Sequence, residues 1–261
     1  MKYTPEVKQQ YEKLFKSCRI TKKAATVVEL VSKIRQNRSK YSAISQKTGV
    51  PWYFIGLIQA LEETSFAFKG HLHNGDPLNV LDKKTKQMKF ARTVRVPKGR
   101  PLAPPKDGKL YTWEESALDA LALKGLINQQ DWSIPMMLFR LESFNGYGYR
   151  QYGVNSPYLW SCSQHYTKGK YIRDHVFDKD AVSQQVGSAV LLHELLIQEG
   201  KMHSTTFKYD PKNKSDEILA LQRFLNQFLT VKLLEDGVAG PKTSEAVFDA
   251  FGAFLEGDPR E

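Results

Sequence analysis

The chain has 261 residues, 41% of them apolar and 25% charged, which is enough for one sizeable globular domain and a small one. No segment reaches the roughly eighteen apolar residues of a membrane-spanning helix; AVLLHELLI at 189–197 is short and interrupted by His193 and Glu194. The net charge of +10 is uneven: residues 1–50 hold 12 Lys/Arg against 3 Asp/Glu, and residues 201–261 hold 8 against 10. A basic front half suits a polyanion (nucleic acid, an anionic membrane or an acidic wall polymer) and equally suits a solvated helical face.

In chain order, TVVELVSKIRQN places Val27, Val28, Leu30, Val31 and Ile34 at helical spacing. KYSAISQKTGVPWYFIGLIQALEE reads as two short helices broken at 48–50, with Gly49 as C-cap and Pro51 in the first turn of the second. Residues 65–110 are irregular, with a hairpin expected where Met88, Phe90, Val94 and Val96 alternate with polar residues. Helical patterns resume at 113–127, 131–142 and 179–198. Residues 201–214 read as a polar linker, and two amphipathic helices follow at about 215–229 and 242–254. These elements predict a mostly α fold, an α+β arrangement with a small β-hairpin. The expected domains are 1–200 and 215–256.

The C-terminal segment carries Leu221-Gln222, Leu225-Asn226, Asp236-Gly237, Gly240-Pro241, Thr243 and Ala246-Val247 in an order that resembles the peptidoglycan-binding repeat of cell-wall hydrolases. It departs from that repeat at Phe251-Gly252, where the family has a Phe-Gln step. The resemblance implies peptidoglycan as partner.

The stretch LEETSFAFKGHLHNGDPL, 61–78, ends an apolar helix in two adjacent carboxylates. A glutamate at such an end, in a partly apolar cleft, keeps its proton near neutral pH because burial disfavours the charged form. EETSFAF resembles the catalytic glutamate motif of the lysozyme-like superfamily, which includes lytic transglycosylases and goose-type lysozymes. That resemblance selects Glu63 over Glu62 as general acid, with Ser65 beside it. Asp76, in the Asn74-Gly75-Asp76-Pro77 turn, is the expected assisting carboxylate, ahead of Glu115 and Glu142. FRLESFNGYGYR resembles the Y-N-x-G element that lines the sugar cleft, with Phe144 in place of tyrosine. It implies substrate contacts at Asn145, Gly146 and Tyr147. Tyr158, Trp160 and Tyr166 are expected to offer flat faces to sugar, and Ser65 and His73 to bind substrate as well, His73 also positioning the loop.

Two other chemistries compete. His71, His73 and Asp76, completed by His165, could ligate zinc in a cell-wall peptidase, although no established ligand spacing is present. The helices around Gly49 have the cadence of a helix-turn-helix, but the second, PWYFIGLIQ, offers only Gln59 to a base edge. The expectation is therefore an endolysin-like glycan-cleaving monomer that needs no metal or cofactor and does not bind nucleic acid, with the basic front half suited to an anionic surface. With no apolar leader segment at the N-terminus, it would be made in the cytoplasm and act on the wall after release. Cys18 and Cys162 are too few for a disulfide framework.

Overall fold

Helix start and stop chemistry sets the first boundaries. Thr4 caps α1 (Pro5–Lys16) by accepting from the Val7 amide, with Pro5 in the first turn, where its missing N–H costs nothing. α2 (Ala24–Gln36) and α3 (Arg38–Thr48) follow, and α3 stops at Gly49, whose φ of 72° suits a residue without Cβ. Pro51 precedes α4 (Trp52–Glu62) at its N-cap, one position earlier than expected.

The computed structural model describes residues 1–173, 175–200, 207–227, 232–251 and 254–260. The chain divides into two compact units, Met1–Met202 and His203–Glu261. The described residues form a mostly helical α+β fold with ten α-helices and three two-stranded sheets. Among them no helix is long and apolar enough to cross a membrane.

The first unit is built around α4, whose residues 54–61 are all buried. It packs against α2, α3 and α8 (Ser188–Gln198). Large side chains such as Phe54, Ile55, Leu57 and Ile58 have no exposed surface, and each contributes about 1.5–3 kcal/mol by leaving water. Gly56 allows the close approach: a Cβ there would lie 2.7 Å from Ile34 Cγ2 and 3.1 Å from the Tyr41 ring.

Around this helix stand α5 (Trp113–Leu123), opened by a reciprocal capping box between Thr112 and Glu115, α6 (Ile134–Asn145), and the short α7 (Pro157–Trp160). A 3₁₀ turn, Gly148–Tyr152, joins the last two. The helix expected over 179–198 begins only at Ser188. The hairpin is β1 (Asn79–Leu81) against β2 (Met88–Phe90), with Val80 opposite Lys89. Val94 and Val96 lie outside it and are exposed, because the chain there follows the ends of an irregular loop rather than a pleat. A second hairpin pairs β3 (Lys170–Arg173) with β4 (Val176–Asp178).

The second unit has β5 (Asp210–Lys214), α9 (Asp216–Leu225), β6 (Val238–Ala239) and α10 (Pro241–Phe251). The expected linker is therefore partly strand: 210–214 pair with β6, while 201–206 lie outside the described residues. Several of the residues that carried the sequence resemblance hold this unit together. The Gln222 side chain donates to Asp236 (2.8 Å), Thr243 (3.1 Å) and the Val238 carbonyl, and accepts from the Gly237 amide. Asn226 brackets Leu233 through its amide and carbonyl, and Leu221, Leu225 and Ala246 form the core.

Candidate active site

The C-terminal end of α4 carries Glu62 and Glu63, and the two carboxyl groups have different surroundings. At Glu63 the backbone leaves the helix with φ −143° and ψ 86°. Its carboxylate accepts from Gln59 Nε2 (2.9 Å), Ser65 Oγ (3.0 Å) and the amides of Lys69 and Gly70 (both 3.3 Å). Glu63 thus closes the loop 64–70 onto the helix end, and Ser65 serves that closure. Gln59, 1% exposed, accepts at its other end from Trp113 Nε1 (2.8 Å), so its amide orientation is fixed by both neighbours.

Glu62 faces α7 and α5. Tyr158, the second residue of α7, donates its hydroxyl to Glu62 Oε1 at 3.0 Å. Burial pushes the Glu62 carboxyl up to about 7, against the opposing pull of the Tyr158 hydrogen bond and the charges of Arg95 and Lys124. Lys124 is itself held below the usual lysine range by burial, opposed by Glu62. Its ammonium donates to the Ser143 carbonyl (2.9 Å) and lies 4.9 Å from the Phe144 ring centroid. Lys124 thus holds the last turn of α6, which leads into Asn145 and Gly146, while its charge acts on Glu62 without a direct bond.

Asn145 is exposed and its side chain bonds the Tyr149 hydroxyl, while Gly146 closes α6 at φ 82°. Tyr147 folds back on its own helix, stacked 5.2 Å from Phe139 and donating to the Phe139 carbonyl (3.1 Å). The three expected sugar-facing aromatics are core residues instead: Tyr158 is 7% exposed, Trp160 1% and Tyr166 8%. The rings of Tyr158 and Trp160 are spent on packing, since α7 lies buried against α6 and α8, and Tyr166 belongs to the same core. Only the Tyr158 hydroxyl reaches the glutamate pair. The broad aromatic surface lies elsewhere, where exposed Tyr152 stacks on Phe177 at 3.9 Å.

Asp76 sits in a different environment. It is 4% exposed, and Oδ2 accepts from the amides of Val94 (2.8 Å) and Arg95 (2.9 Å) while Oδ1 accepts from Arg95 Nε (2.6 Å). Burial works to raise its pKa, but the bonds from Arg95 and Val94 outweigh it and hold the carboxyl below the usual range. Asp76 therefore pins the loop 92–96. The 74–77 turn that carries Asp76 lies close against the end of α4: Gly75 has φ +72°, and a Cβ there would lie 2.2 Å from the Glu62 carbonyl oxygen.

The histidines belong to a buried network under the same loop. His71 contacts Ser116 Oγ (2.9 Å) and the Ala91 carbonyl (2.8 Å), one through each ring nitrogen. His73 Nε2 meets Asp119 Oδ2 at 2.7 Å, and Arg100 holds Asp119 with two bonds. Burial lowers the His73 pKa to about 4 despite Asp119. His165 is engaged with Ser17 Oγ (3.2 Å). Among the described residues no group of three or more His, Cys, Asp or Glu is placed to hold a metal ion. The zinc ligands considered from sequence are thus committed to protein partners. The would-be recognition helix of the helix-turn-helix reading is α4, whose residues 54–61 are buried, Gln59 included.

The chain matches no family model, curated protein or solved structure. The site must be read from its own chemistry.

That chemistry has two groupings that the motifs did not bring together. One is the Glu62–Tyr158–Lys124 grouping, drawn from three separate helical segments. The other is a buried cluster of Tyr11, Glu142 and Arg150. Glu142 and Arg150 flank the Asn145–Gly148 turn eight positions apart, a charge pairing across a turn that a sequence signal could have suggested.

Proposed function

We propose that the chain cleaves the β-1,4 bond between N-acetylmuramic acid and N-acetylglucosamine in peptidoglycan, with Glu62 taking the general-acid role that the motif assigned to Glu63. The observation that carries the reading is the Glu62 carboxyl, raised to about 7 by burial at a helix end and steadied by Tyr158. Such a group is protonated often enough at neutral pH to donate to the leaving glycosidic oxygen as the sugar cation develops. The resulting carboxylate then takes a proton either from water, giving hydrolysis, or from the muramic acid's own C6 hydroxyl, giving an anhydro product. Glu63 shapes the loop beside the acid, and Lys124 holds the last turn of α6, which leads into Asn145 and Gly146. The second unit tethers the enzyme to the wall and raises local substrate concentration. The reading makes peptidoglycan the partner, in the wall compartment.

Wall clearing by Glu62→Gln and Glu63→Gln, run beside thermal unfolding, tests the assignment. Glu62→Gln should abolish clearing while the fold survives; Glu63→Gln should loosen the loop and lower the melting temperature. Full clearing by Glu62→Gln would sink the role given to that residue. If both variants clear normally, the enzyme reading falls. Mass spectrometry of the products separates anhydro-muramic ends from reducing ends.

A further inference from the structure

The β1–β2 hairpin and the loop after it join a surplus of positive charge to a group of exposed aliphatic side chains. Residues 81–110 hold 10 Lys/Arg against 2 Asp/Glu. Lys89 pairs with Asp82, Arg95 with Asp76 and Arg100 with Asp119, while Lys83, Lys84, Lys86, Lys98 and Lys106 lie exposed outside these pairs. The same segment carries Val96 (74% exposed), Val94 (72%), Leu102 (66%), Leu81 (57%) and Met88 (51%). The first three are among the four most exposed large apolar side chains of the described residues, a concentration rather than the ordinary scatter of single surface aliphatics.

Hydrogen bonds tie the segment into one lobe. At the base of the hairpin the Ala91 amide donates to the Leu78 carbonyl, and the Asn79 side chain bonds both backbone groups of Tyr111. The Tyr111 hydroxyl donates to the Ala103 carbonyl (2.6 Å), and Arg92 Nη2 to the Leu102 carbonyl (2.8 Å). Thr93 closes the loop 93–100, donating its amide to the Arg100 carbonyl and accepting from the Gly99 amide. This framework imposes the exposure. Asp76 holds the amides of Val94 and Arg95 and the Arg95 guanidinium, so Val94 and Val96 stand in water on either side of a tethered arginine. Leu81 and Met88 are partners across β1 and β2, and directly opposite residues share a face of the pair.

We propose that this lobe docks on the surface of an anionic lipid bilayer, with Val94 and Val96 entering the boundary between headgroups and acyl chains and the lysines meeting lipid phosphates. Each half of the composition excludes a different occupant. A soluble polyanion would satisfy the lysines and leave the aliphatic side chains in water. Nucleic acid would also need a face on which to stack a base, and the segment's one aromatic residue, Phe90, is half-buried against Tyr111 at 5.3 Å. A second copy of the chain would set one surplus of positive charge against another. An anionic bilayer answers both halves, because apolar side chains sink below the headgroups while lysine stems reach back to the phosphates. The inference does not depend on glycan cleavage.

The full chain is sedimented with vesicles of phosphatidylglycerol and phosphatidylcholine in equal parts, and with vesicles of phosphatidylcholine alone, with soluble inorganic polyphosphate as the charge-only probe. Binding to the anionic vesicles is expected, weaker as salt rises, with little binding to the neutral ones. Lys83→Glu, Lys86→Glu and Lys98→Glu together should weaken it about tenfold or more. Val94→Ser with Val96→Ser should weaken it about three- to tenfold, with circular dichroism unchanged. Should either set fail to fold, Val96→Cys labelled with an environment-sensitive fluorophore gives a second reading, since Cys18 and Cys162 are buried. Its emission should move to shorter wavelength with anionic vesicles and not with polyphosphate. The proposal is overturned by no binding to anionic vesicles, or by a charge-reversed chain that binds like the parent, which would move the contact to the basic front half. It is equally overturned by a serine variant that binds like the parent, or by a label that stays in water, either of which would leave a charge-only contact. Glu62→Gln should bind vesicles like the parent whether or not it clears walls, so failure of the glycan-cleaving reading leaves this result untouched.

Discussion

The end of α4 and the loop that lies on it hold carboxylates of opposite character. Glu62 and Asp76 are brought close by the Gly75 contact, and burial works to raise the pKa of both. Glu62 has one hydroxyl donor and two cations acting on it without a direct ion pair, and its pKa rises. Asp76 has two backbone amides and an arginine bonded directly to it, and its pKa falls. The comparison teaches that burial alone does not make an acid. What separates a proton carrier from a structural clamp is how many donors reach its oxygens.

The sharpest way to break this contrast is to remove each carboxyl. Glu62→Gln should lower wall-clearing activity about 10²- to 10⁴-fold, the usual contribution of acid–base catalysis. Asp76→Ala, by contrast, should act through stability. It strands the Val94 and Arg95 amides at a cost of about 1–3 kcal/mol, read by urea unfolding, and any activity loss should follow the loss of fold. An Asp76 variant that is stable and inactive would reverse the two roles.

Gly75→Ala tests the contact between the two regions. Its φ and the nearby Glu62 carbonyl leave no room for a methyl group, so a cost of about 1–3 kcal/mol is expected from the backbone strain. The loop and the helix end should lose hydrogen-exchange protection together. Unchanged protection at the helix end would show that the two move independently.

Opposite pH slopes offer a third check. The Glu62 pKa is raised from 4.5 to about 7, so the folded state binds the extra proton between those values. Its contribution is full below pH 4.5 and is lost as pH rises through 7. Glu62→Gln should recover up to about 3 kcal/mol of that loss at pH 8. The His73 pKa is lowered from 6.5 to about 4, so the network under the loop is complete above pH 6.5 and loses stability as pH falls toward 4. His73→Gln should flatten the acid slope and leave the alkaline one. The smallest effect expected is that of Lys124→Met. Removing a cation near Glu62 should move the alkaline limb of the activity profile upward by a few tenths of a pH unit. A downward move would contradict the stated pull of Lys124.

Helix identities were legible where start and stop residues were strong, as at Gly49 and in the apolar run ending at Leu61. The C-terminal positions Gln222, Asn226 and Thr243 were legible too, and their bonds show what they do: they fold the unit, and sugar recognition does not follow from them. The glutamate pair at the end of α4 was legible as well. Periodicity brought both glutamates to a helix end but could not say which would meet Tyr158, because that partner comes from a helix 96 positions away. Aromatic content misled for a related reason. Tyr158, Trp160 and Tyr166 look alike in sequence whether their faces meet sugar or leucine, and only packing shows that they are buried. Lys124 carried no motif; its role comes from three helices meeting.

Gly56 settles a matter of indexing. Adjacent positions on a helix differ by about 100° around its axis, so a rotation of α4 by that angle would swing Glu62, its last residue, away from Tyr158. The notch at Gly56, with Ile34 and Tyr41 seated against it, acts as a key in a keyway and forbids the turn. The choice of which carboxyl meets Tyr158 is thus made six residues upstream, by a side chain that is missing.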